Sequence, residues 1–511
     1  MSIARTYMAS TAICLSFVSS NAAADLTSAE VWQDWRGYFE GMGYTVTATE
    51  TVTGETLAVS DIAVQINGGP DIKSMTMQMG PIQFEQNDNG SVDVVTPPSM
   101  PIVLEITPNS TERPTRIEMV YSQIGQSMVA SGDSSAMRYD YSADNFALEL
   151  ASLRVDGDDF DQNAARFSLT GEAVESLTTV NTGDLREYDQ SIKWGSVAYD
   201  LFFKSPDSVE AVSVNSSINN PAFTGTSALP LADIAQTQEM APLLAAGFAF
   251  DGKFTTNSTE TQMEIVSDEG ASKIKTGAGG STLSFAMGED GLNYDVNSKQ
   301  VQVGAQLAGL PFPLFVEMEN TGFKLRAPML KSDEAQDFGL AFNVSGLTMS
   351  DIIWALFDPS AQLPRDPATV QLDLSGKAKI LVDAFNAETV QGLAESGKSA
   401  GEIEALKINN LTIDAVGAKA QATGDLTFDN TDKTTLPGVP KPVGAINVDL
   451  AGTNALLDKL VAMGVVPAEQ IMGVRMMMGL FAVPGDAPDT LKSTIEFNEE
   501  GQILANGQRI K

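Results

Sequence analysis

Eight residues of the chain match the G-x-x-x-x-G-K-[ST] phosphate-binding pattern of nucleotide-hydrolysing proteins. They run from Gly392 to Ser399, with Lys398 in the lysine position. That loop binds phosphate when it joins a buried strand directly to a helix whose N-terminus faces the phosphate. Here the nearest predicted strand, 379–384, ends well before Gly392, and a helix-like stretch lies between them. We interpret the segment as a glycine-containing surface helix and predict no nucleotide cofactor.

A serine-hydrolase pattern overlaps the first one. Gly397, Ser399 and Gly401 fit the G-x-S-x-G turn that carries the nucleophile of many hydrolases. Such a serine needs an imidazole base, and the chain contains no histidine. Lys398 is a base in principle, but a lysine beside its own serine is no evidence for a catalytic pair. The pattern therefore predicts no catalytic residue.

An acidic turn at 156–161 resembles a calcium loop. An EF-hand would have an oxygen ligand in place of Phe160, a glycine in place of Asp161 and a glutamate in place of Phe167, so that motif fails. We interpret the segment as an acidic turn, and a simpler surface calcium site is the alternative.

Methionines are concentrated in two segments, and periplasmic copper proteins use thioether ligands. Met75, Met77 and Met79 alternate, and a second cluster lies at 472–478. Alternation places the first three on one face of a strand, which is also how a sheet presents its core. Because neither cluster has a histidine or cysteine beside it, we predict packing roles and no metal site.

The composition excludes further classes of activity. The chain has 511 residues, 66 Asp+Glu against 31 Lys+Arg, a formal net charge of −35, no histidine and one cysteine. Histidine-dependent catalysis and metal binding are absent, and the negative charge disfavours nucleic acid and anionic membranes. A glycosidase-like Asp/Glu pair is the remaining enzyme class, but sequence cannot select a pair among so many carboxylates. The composition favours a non-enzymatic protein without cofactors.

The N-terminus has the layout of a secretory signal peptide. Arg5 precedes an apolar run, 8–18, and Ala22 and Ala24 form a small-residue cleavage site. The alternatives are a buried N-terminal helix and a lipoprotein anchored at Cys14. We predict cleavage after Ala24, which removes the cysteine, and a periplasmic location. No later run is long enough for a transmembrane helix.

A helix is predicted directly after the signal. Thr27 and Glu30 form a capping box, and Trp32, Trp35 and Phe39 fall on one helical face. This face either docks on a sheet or binds a partner protein. Trp32, Trp35 and Phe39 are therefore our candidate partner-binding residues, and the partner-binding alternative predicts a solvent-facing apolar patch around them.

From residue 44 onward, apolar residues alternate with polar ones and turn signals recur, which predicts β-hairpins. The predicted turns are Gly54, 68–70, 88–90, 132–133, 144–145, 156–157, 289–291 and 320–322. Helices are predicted at 231–246, 388–406, 453–463 and 467–481. The fold class is mainly β (α+β), a large curled antiparallel sheet with a few helices packed on its faces and near the C-terminus.

We predict one elongated β-rich region, 25–511, with a soft boundary near 229–230 where Pro230 precedes a predicted helix. Residues of about 109–150 resemble residues 257–296: segments 116–120 and 135–150 match 262–266 and 281–296, both at an offset of 146 residues, which would indicate a repeated hairpin unit. No linker of biased composition separates the halves.

Two segments of the second half carry a resemblance to a known family. The stretch 347–369, LTMSDIIWALFDPSAQLPRDPAT, and the tail from Gly444 to Gly507 resemble the DUF2125 family of uncharacterised exported alphaproteobacterial proteins. Residues 406–428 are more loosely similar to AsmA-like envelope proteins. The first resemblance implies no activity and no site residues, and the second implies a curled sheet that lines an apolar groove and handles lipid.

The leading hypothesis is a periplasmic envelope protein that binds lipid or another apolar ligand in a sheet-lined groove. The alternative is a scaffold or assembly factor that binds another envelope protein through sheet edges or the first helix. A lipid groove requires an apolar sheet face that is not covered by a filled core, which the fold can test.

Overall fold

The computed structural model describes residues 26–68, 72–110, 113–161, 163–206, 208–230, 240–382, 392–393 and 399–511. Five helices with assigned bounds lie in these ranges. They are α1 (Ser28–Gly41), α2 (Met240–Ala245), α3 (Asp351–Phe357), α4 (Thr453–Ala462) and α5 (Ala468–Phe481).

The described residues also form thirty strands, all in one sheet whose pairings are antiparallel. They are β1 (Thr45–Thr53), β2 (Thr56–Asn67), β3 (Ile72–Met79), β4 (Ile82–Gln86), β5 (Val92–Val95), β6 (Ser99–Pro108), β7 (Thr115–Ile124), β8 (Ser127–Asp133), β9 (Ala136–Val155), β10 (Asp158–Asp159), β11 (Ala165–Thr182), β12 (Leu185–Lys193), β13 (Ser196–Lys204), β14 (Ala211–Asn219), β15 (Ala222–Pro230), β16 (Ala249–Thr256), β17 (Ser258–Ser267), β18 (Gly270–Ala278), β19 (Ser281–Gly288), β20 (Gly291–Gln306), β21 (Leu314–Ala327), β22 (Gln336–Met349), β23 (Ala368–Ile380), β24 (Gly401–Ala415), β25 (Ala418–Asp429), β26 (Lys441–Ala451), β27 (Val483–Pro484), β28 (Thr490–Phe497), β29 (Ile503–Ala505) and β30 (Gln508–Arg509). The predicted mainly β fold is confirmed.

Helix α1 begins where the capping box predicts. The Thr27 hydroxyl accepts a hydrogen bond from the Glu30 backbone N–H (3.2 Å), and the Glu30 carboxylate accepts one from the Thr27 backbone N–H (2.9 Å). Val31 and Trp32 are buried, so this face of the helix docks on β1, β2 and β4. The helix is held by apolar burial as well as by its cap.

A crease divides the first two thirds of the sheet into two rows of strands. One row contains β4, β5, β8, β12, β15, β16 and β19, and the other contains β3, β6, β7, β13, β14, β17 and β18. Strands β2, β9, β11 and β20 run through both rows and pair with one row on each side of the crease.

Left-handed backbone marks the crease. Six residues with positive φ lie along the crease, some within a strand and some between two strands: Asp61, Gly125, Ala173, Asn220, Gln300 and Gly346. Such a residue bends a strand and locally changes which side chains face inward. The chain stays hydrogen-bonded across the crease, as from Gly195 N to Glu172 O (2.8 Å) and from Gly279 N to Lys299 O (2.9 Å).

The buried core lies at the N-terminal end of the sheet. Its members are Leu26 and residues of α1, β1, β2, β4, β5, β8, β9 and β11, with Phe84 and Val59 fully buried. Leu57 and Val64 lie on opposite sides of Asp61 and belong to this same core, so the crease keeps apolar side chains of β2 on one face. From 249 onward, few described apolar side chains are fully buried.

Several turn and helix predictions are corrected by the strand bounds. Residues 144–145 lie within β9 and 320–322 within β21, because neighbouring strands on both sides pair with Asn145 and with 320–322. Residues 401–406 begin β24 and are not helical, while the middle of the predicted 388–406 helix lies outside the described residues. The 453–463 and 467–481 predictions are confirmed as α4 and α5, and Pro467 precedes the first helical residue.

Other predictions meet the structure only in part. The signal segment and residues 231–239 lie outside the described residues, and the remainder of that predicted helix is α2. Strand β15, which ends at Pro230, pairs with β16 beyond the proposed boundary. Residues 135–150 belong largely to the single strand β9, and 281–296 form the β19–β20 hairpin. The internal repeat stays a prediction. No helix of the described residues is long and apolar enough to cross a membrane.

Candidate apolar groove and the pocket beneath α1

One line of directly paired residues crosses eleven strands of the sheet, and every member is apolar. We call this line the apolar row. Residues paired directly across strands present their side chains on the same face of the sheet. From β12 to β26 the members are Ile192, Phe223, Phe254, Leu283, Val296, Phe323, Phe342, Leu372, Leu411, Ala422 and Val448.

A second line of apolar pairs runs beside the apolar row. Phe285, Tyr294, Leu325, Leu340 and Leu374 pair in succession from β19 to β23. Tyr294 and Phe323 lie 6.1 Å apart between ring centroids and join the two lines. The apolar surface is therefore wider than a single residue.

The opposite face of the same strands is polar and carries cross-strand ion pairs. Lys324 lies 2.9 Å from Asp295, and Lys377 lies 3.0 Å from Asp337. These residues alternate with the apolar ones along each strand, as expected of a sheet with one solvated face. The two faces thus differ sharply in chemistry.

The apolar row is not covered by a second packed layer. Phe323 and Phe342 retain 37% and 42% of their accessible surface, and Ala422 is the one buried member of the row. A filled core would bury large aromatic side chains almost completely. The described part of the sheet therefore presents an open apolar surface.

A pocket of about 560 Å³ lies where α1 meets this face of the sheet. We call it the α1 pocket. Its lining is mainly aromatic and aliphatic, with Trp35, Phe39, Leu229, Phe248 and Phe250 among its walls. Tyr188, in the strand that contributes Ile192 to the apolar row, also lines it. The volume is in the range typical of small-molecule sites.

A nearly buried ion pair forms the polar part of the α1 pocket. The Arg186 guanidinium donates hydrogen bonds to the Asp34 carboxylate and, at 3.0 Å, to the Asp34 carbonyl oxygen. The Tyr139 hydroxyl donates a 2.6 Å hydrogen bond to the same carboxylate. The Asp34 and Arg186 side chains are only 7% and 14% exposed. Water therefore screens this pair little.

Burial and neighbouring charges shift the pKa values of Tyr139, Arg186 and Tyr188 in the α1 pocket. Burial raises the pKa of Tyr188 to about 12, although the neighbouring Arg186 charge opposes the shift. Burial, together with the Asp34 charge, raises the pKa of Tyr139. Desolvation disfavours the Arg186 cation, but Asp34 and Tyr188 outweigh it and raise the pKa of Arg186. All three side chains keep their protons at neutral pH.

The chemistry of the α1 pocket suits binding better than catalysis. Asp34 is the one carboxylate among the described residues that line the pocket, and it is already paired with Arg186. A glycosidase-like mechanism needs a second carboxyl group across the same cleft. The pocket instead combines an apolar body with one polar end, which is the pattern of an amphipathic ligand site.

The three predicted partner-binding residues have different positions. Trp32 is 3% exposed, packs against Phe84 at 6.1 Å and donates from Nε1 to Glu50 (2.7 Å). The predicted patch therefore does not include Trp32, because its ring is needed in the core that holds α1. Trp35 and Phe39 are half-buried and line the α1 pocket. Partner binding by these two residues stays a prediction.

The methionine segments separate into two environments. Met77 and Met79 pack against the core, as the packing interpretation requires. Met472 and Met476 on α5 are instead 68% and 72% exposed. Packing within the chain therefore accounts for Met77 and Met79 and not for Met472 and Met476.

Two motifs remain, the acidic turn at 156–161, whose carboxylates contact neighbouring parts of the chain, and the phosphate-loop pattern. The Asp156 carboxylate accepts from the Arg113 backbone N–H (2.8 Å), and Asp159 pairs with Arg154 at 2.7 Å. No group of three or more His, Cys, Asp or Glu side chains suited to a metal ion occurs within the described ranges. Most of the phosphate-loop pattern, 394–398, lies outside them.

Comparison with known proteins places the chain in a family. The family described as "Uncharacterized protein conserved in bacteria (DUF2125)" matches residues 208–507, more than half of the chain. The chain belongs to the DUF2125 family. No curated protein and no solved structure matches it.

Sequence reasoning missed the polar residues of this DUF2125 protein's α1 pocket. Asp34 and Arg186 are 152 positions apart, and Asp34 and Tyr139 are 105 apart. None of them belongs to a motif. The available signal was an acidic residue on the aromatic face of a predicted helix, and its partner could be found only from the fold.

Proposed function

We propose that this DUF2125 protein is an exported, periplasmic envelope protein that binds a lipid, or another ligand with a long apolar chain, along the apolar row. The observation that carries the proposal is the row itself, eleven directly paired apolar residues of which Phe323 and Phe342 remain exposed. Soluble proteins seldom expose a contiguous apolar surface of this extent without a ligand or partner. The predicted signal at 1–24 supports the location.

The α1 pocket gives the proposed groove a closed end. Helix α1 covers the sheet where the buried core begins, and Tyr188 and Phe250 extend the apolar lining from the pocket toward the row. An acyl chain would lie on the apolar lining, and a hydrogen-bonding headgroup would meet the Asp34, Tyr139 and Arg186 cluster. This arrangement favours a ligand with one polar end.

Mass spectrometry of lipids extracted from protein purified without detergent tests the proposal. The variant Phe323→Gln/Phe342→Gln removes apolar surface from the row, and the control Lys324→Gln/Asn343→Gln places glutamine at the next position of each of the same two strands, on the opposite face. We expect bound lipid in the native protein and in the control, and at least a fivefold loss in the first variant. Absence of lipid from the native protein, or equal loss in both variants, would contradict the proposal.

A scaffold or assembly role is the second candidate. Among the described strands, β1 pairs with β2 alone, which leaves one edge of the sheet open, and Val52 on it is 72% exposed. An open edge is a site where another chain can add a strand. This candidate predicts that an envelope partner protects the amides of β1 from hydrogen exchange while lipid extraction yields nothing.

A further inference from the structure

Helix α5 presents an apolar surface to solvent. Ile471 is its one buried side chain, whereas four others are 50–72% exposed: Met472, Met476, Met477 and Leu480. At 100° per residue these four span about 140° of the helix circumference. A helix that docks on its own sheet buries an apolar stripe of about this width, whereas α5 leaves this one exposed to solvent.

A second apolar helix lies at the same edge of the sheet. Helix α3 follows the end of β22, buries Trp354 and exposes Leu356 and Phe357 by 64% and 45%. Helix α4 follows the end of β26, and α5 follows α4. Both helical segments therefore project from strand ends.

The turn between β24 and β25 joins the two segments. A Cβ added to Gly417 in this turn would lie 2.9 Å from Cγ of Pro364, which follows α3. A Cβ added to Gly452, the N-cap of α4, would lie 2.2 Å from the carbonyl oxygen of Gly417. Both glycines have positive φ. This close packing places α3 and the α4–α5 hairpin along one border, which we call the apolar rim and define by Leu356, Phe357, Met472, Met476, Met477 and Leu480.

Two ion pairs lie at the apolar rim. Asp458 of α4 lies 2.6 Å from Arg475 of α5, and Asp351 of α3 pairs with Arg365. Glu469 is the one acidic residue of α5. In a chain of net charge −35, the rim therefore lacks the excess of acid that would repel a membrane surface.

We propose that the apolar rim docks the protein on a lipid bilayer whose headgroups are zwitterionic. Two helical segments from separate parts of the chain project along one border, which suits a broad flat surface better than a single peptide. Flexible methionine side chains adapt to irregular acyl chains. The paired charges match a surface without net charge, and interfacial helices bind by burying such side chains at the headgroup boundary.

Flotation with phosphatidylcholine vesicles tests the docking. The variant Met472→Gln/Met476→Gln/Leu480→Gln removes apolar surface from α5, and Leu356→Gln tests α3 separately. The matched control, Val52→Gln/Ile124→Gln, changes side chains that are 72% and 64% exposed and lie outside the rim. We expect native protein and control to float, at least a fivefold loss for the α5 variant and a smaller loss for Leu356→Gln.

A site-specific probe keeps the test independent of folding. In the mature protein, from which the predicted cleavage after Ala24 removes Cys14, an environment-sensitive dye on Met476→Cys should shift to the blue with vesicles, and the same dye on Val52→Cys should not. Native protein that stays unbound, or an α5 variant that floats like native, overturns the proposal. A native protein that is dimeric, with an α5 variant that is monomeric, also overturns the proposal, because the rim would then join two copies of the chain. Docking does not require ligand in the apolar row, so lipid extraction and flotation can fail separately.

Discussion

The guanidinium of Arg186 on β12 binds the carboxylate of Asp34 on α1, and the Tyr139 hydroxyl donates to the same carboxylate. These contacts tie the N-terminal helix to strands more than a hundred residues away. Because both charged side chains are nearly buried, water stabilises their charges little, and each charge is stabilised mainly by the other. The closed end of the proposed groove is therefore held by a few long-range polar contacts.

Replacing Arg186 by methionine should destabilise the protein by about 3 kcal/mol, since Asp34 would be left charged in a poorly hydrated site. Urea unfolding followed by tryptophan fluorescence measures the change, because Trp32 and Trp35 lie on the helix concerned. The matched double variant Asp34→Leu/Arg186→Met removes both charges and should recover most of the loss. If the double variant were as unstable as the single one, the cost would come from packing and not from an unpaired charge.

Stability should fall as the pH rises above 10. Burial raises the pKa of Tyr188 to about 12, and it also raises those of Tyr139 and Tyr141. A raised pKa in the folded state contributes stability below the unfolded value, near 10, and this contribution is lost as the pH approaches 12. Each group should remove up to about 1.4 kcal/mol per pH unit in that window.

Urea midpoints at pH 8 to 11.5 check this dependence, and absorbance at 295 nm follows tyrosine ionisation directly. Tyr188→Phe should flatten the alkaline loss, whereas Tyr199→Phe serves as the control. A native protein whose tyrosines all titrate together near pH 10 would contradict the burial of these hydroxyl groups.

Local sequence signals located the elements whose ends they control. The Thr27–Glu30 capping box set the start of α1, and Pro467 set the start of α5. Gly54 marked the β1–β2 turn. These predictions hold because capping and turn geometry depend on a few neighbouring residues.

The crease and the α1 pocket could not be predicted in the same way. Asn145 and Asn320 carry turn propensity, but each is paired with strands on both sides, and the bend occurs within a continuous strand. Ala173 adopts a positive φ without any local signal for it. The apolar row depends on register across eleven strands, while alternation within one strand shows only that one face is apolar.

The crease makes a specific prediction at Ala173, which has φ of 50° and is exposed within β11. Valine usually favours strands, but a β-branched side chain is strained at positive φ. Ala173→Val should therefore destabilise the protein by about 1–2 kcal/mol. Ala147→Val, at an ordinary position of β9, is the control and should be near neutral. Urea unfolding compares the two, and an Ala173→Val variant as stable as the control would argue against the left-handed backbone.

The cap of α1 should control access to the α1 pocket. Thr27→Ala removes the hydroxyl that accepts from the Glu30 N–H and should cost about 1 kcal/mol. Because α1 forms one wall of the pocket, a loosened helix should expose more of the apolar lining. We expect faster amide hydrogen exchange across 28–41 and stronger fluorescence of a neutral solvatochromic dye.

The matched change Thr53→Ala lies on the exposed end of β1 and removes the same hydroxyl and methyl groups without affecting a cap. It should leave both the exchange of α1 and the dye signal unchanged. Dye binding that rises equally in both variants would show that the pocket opens independently of α1. A rise confined to Thr27→Ala, reversed by Thr27→Ser, would assign control of the pocket to the cap, because serine keeps the accepting oxygen.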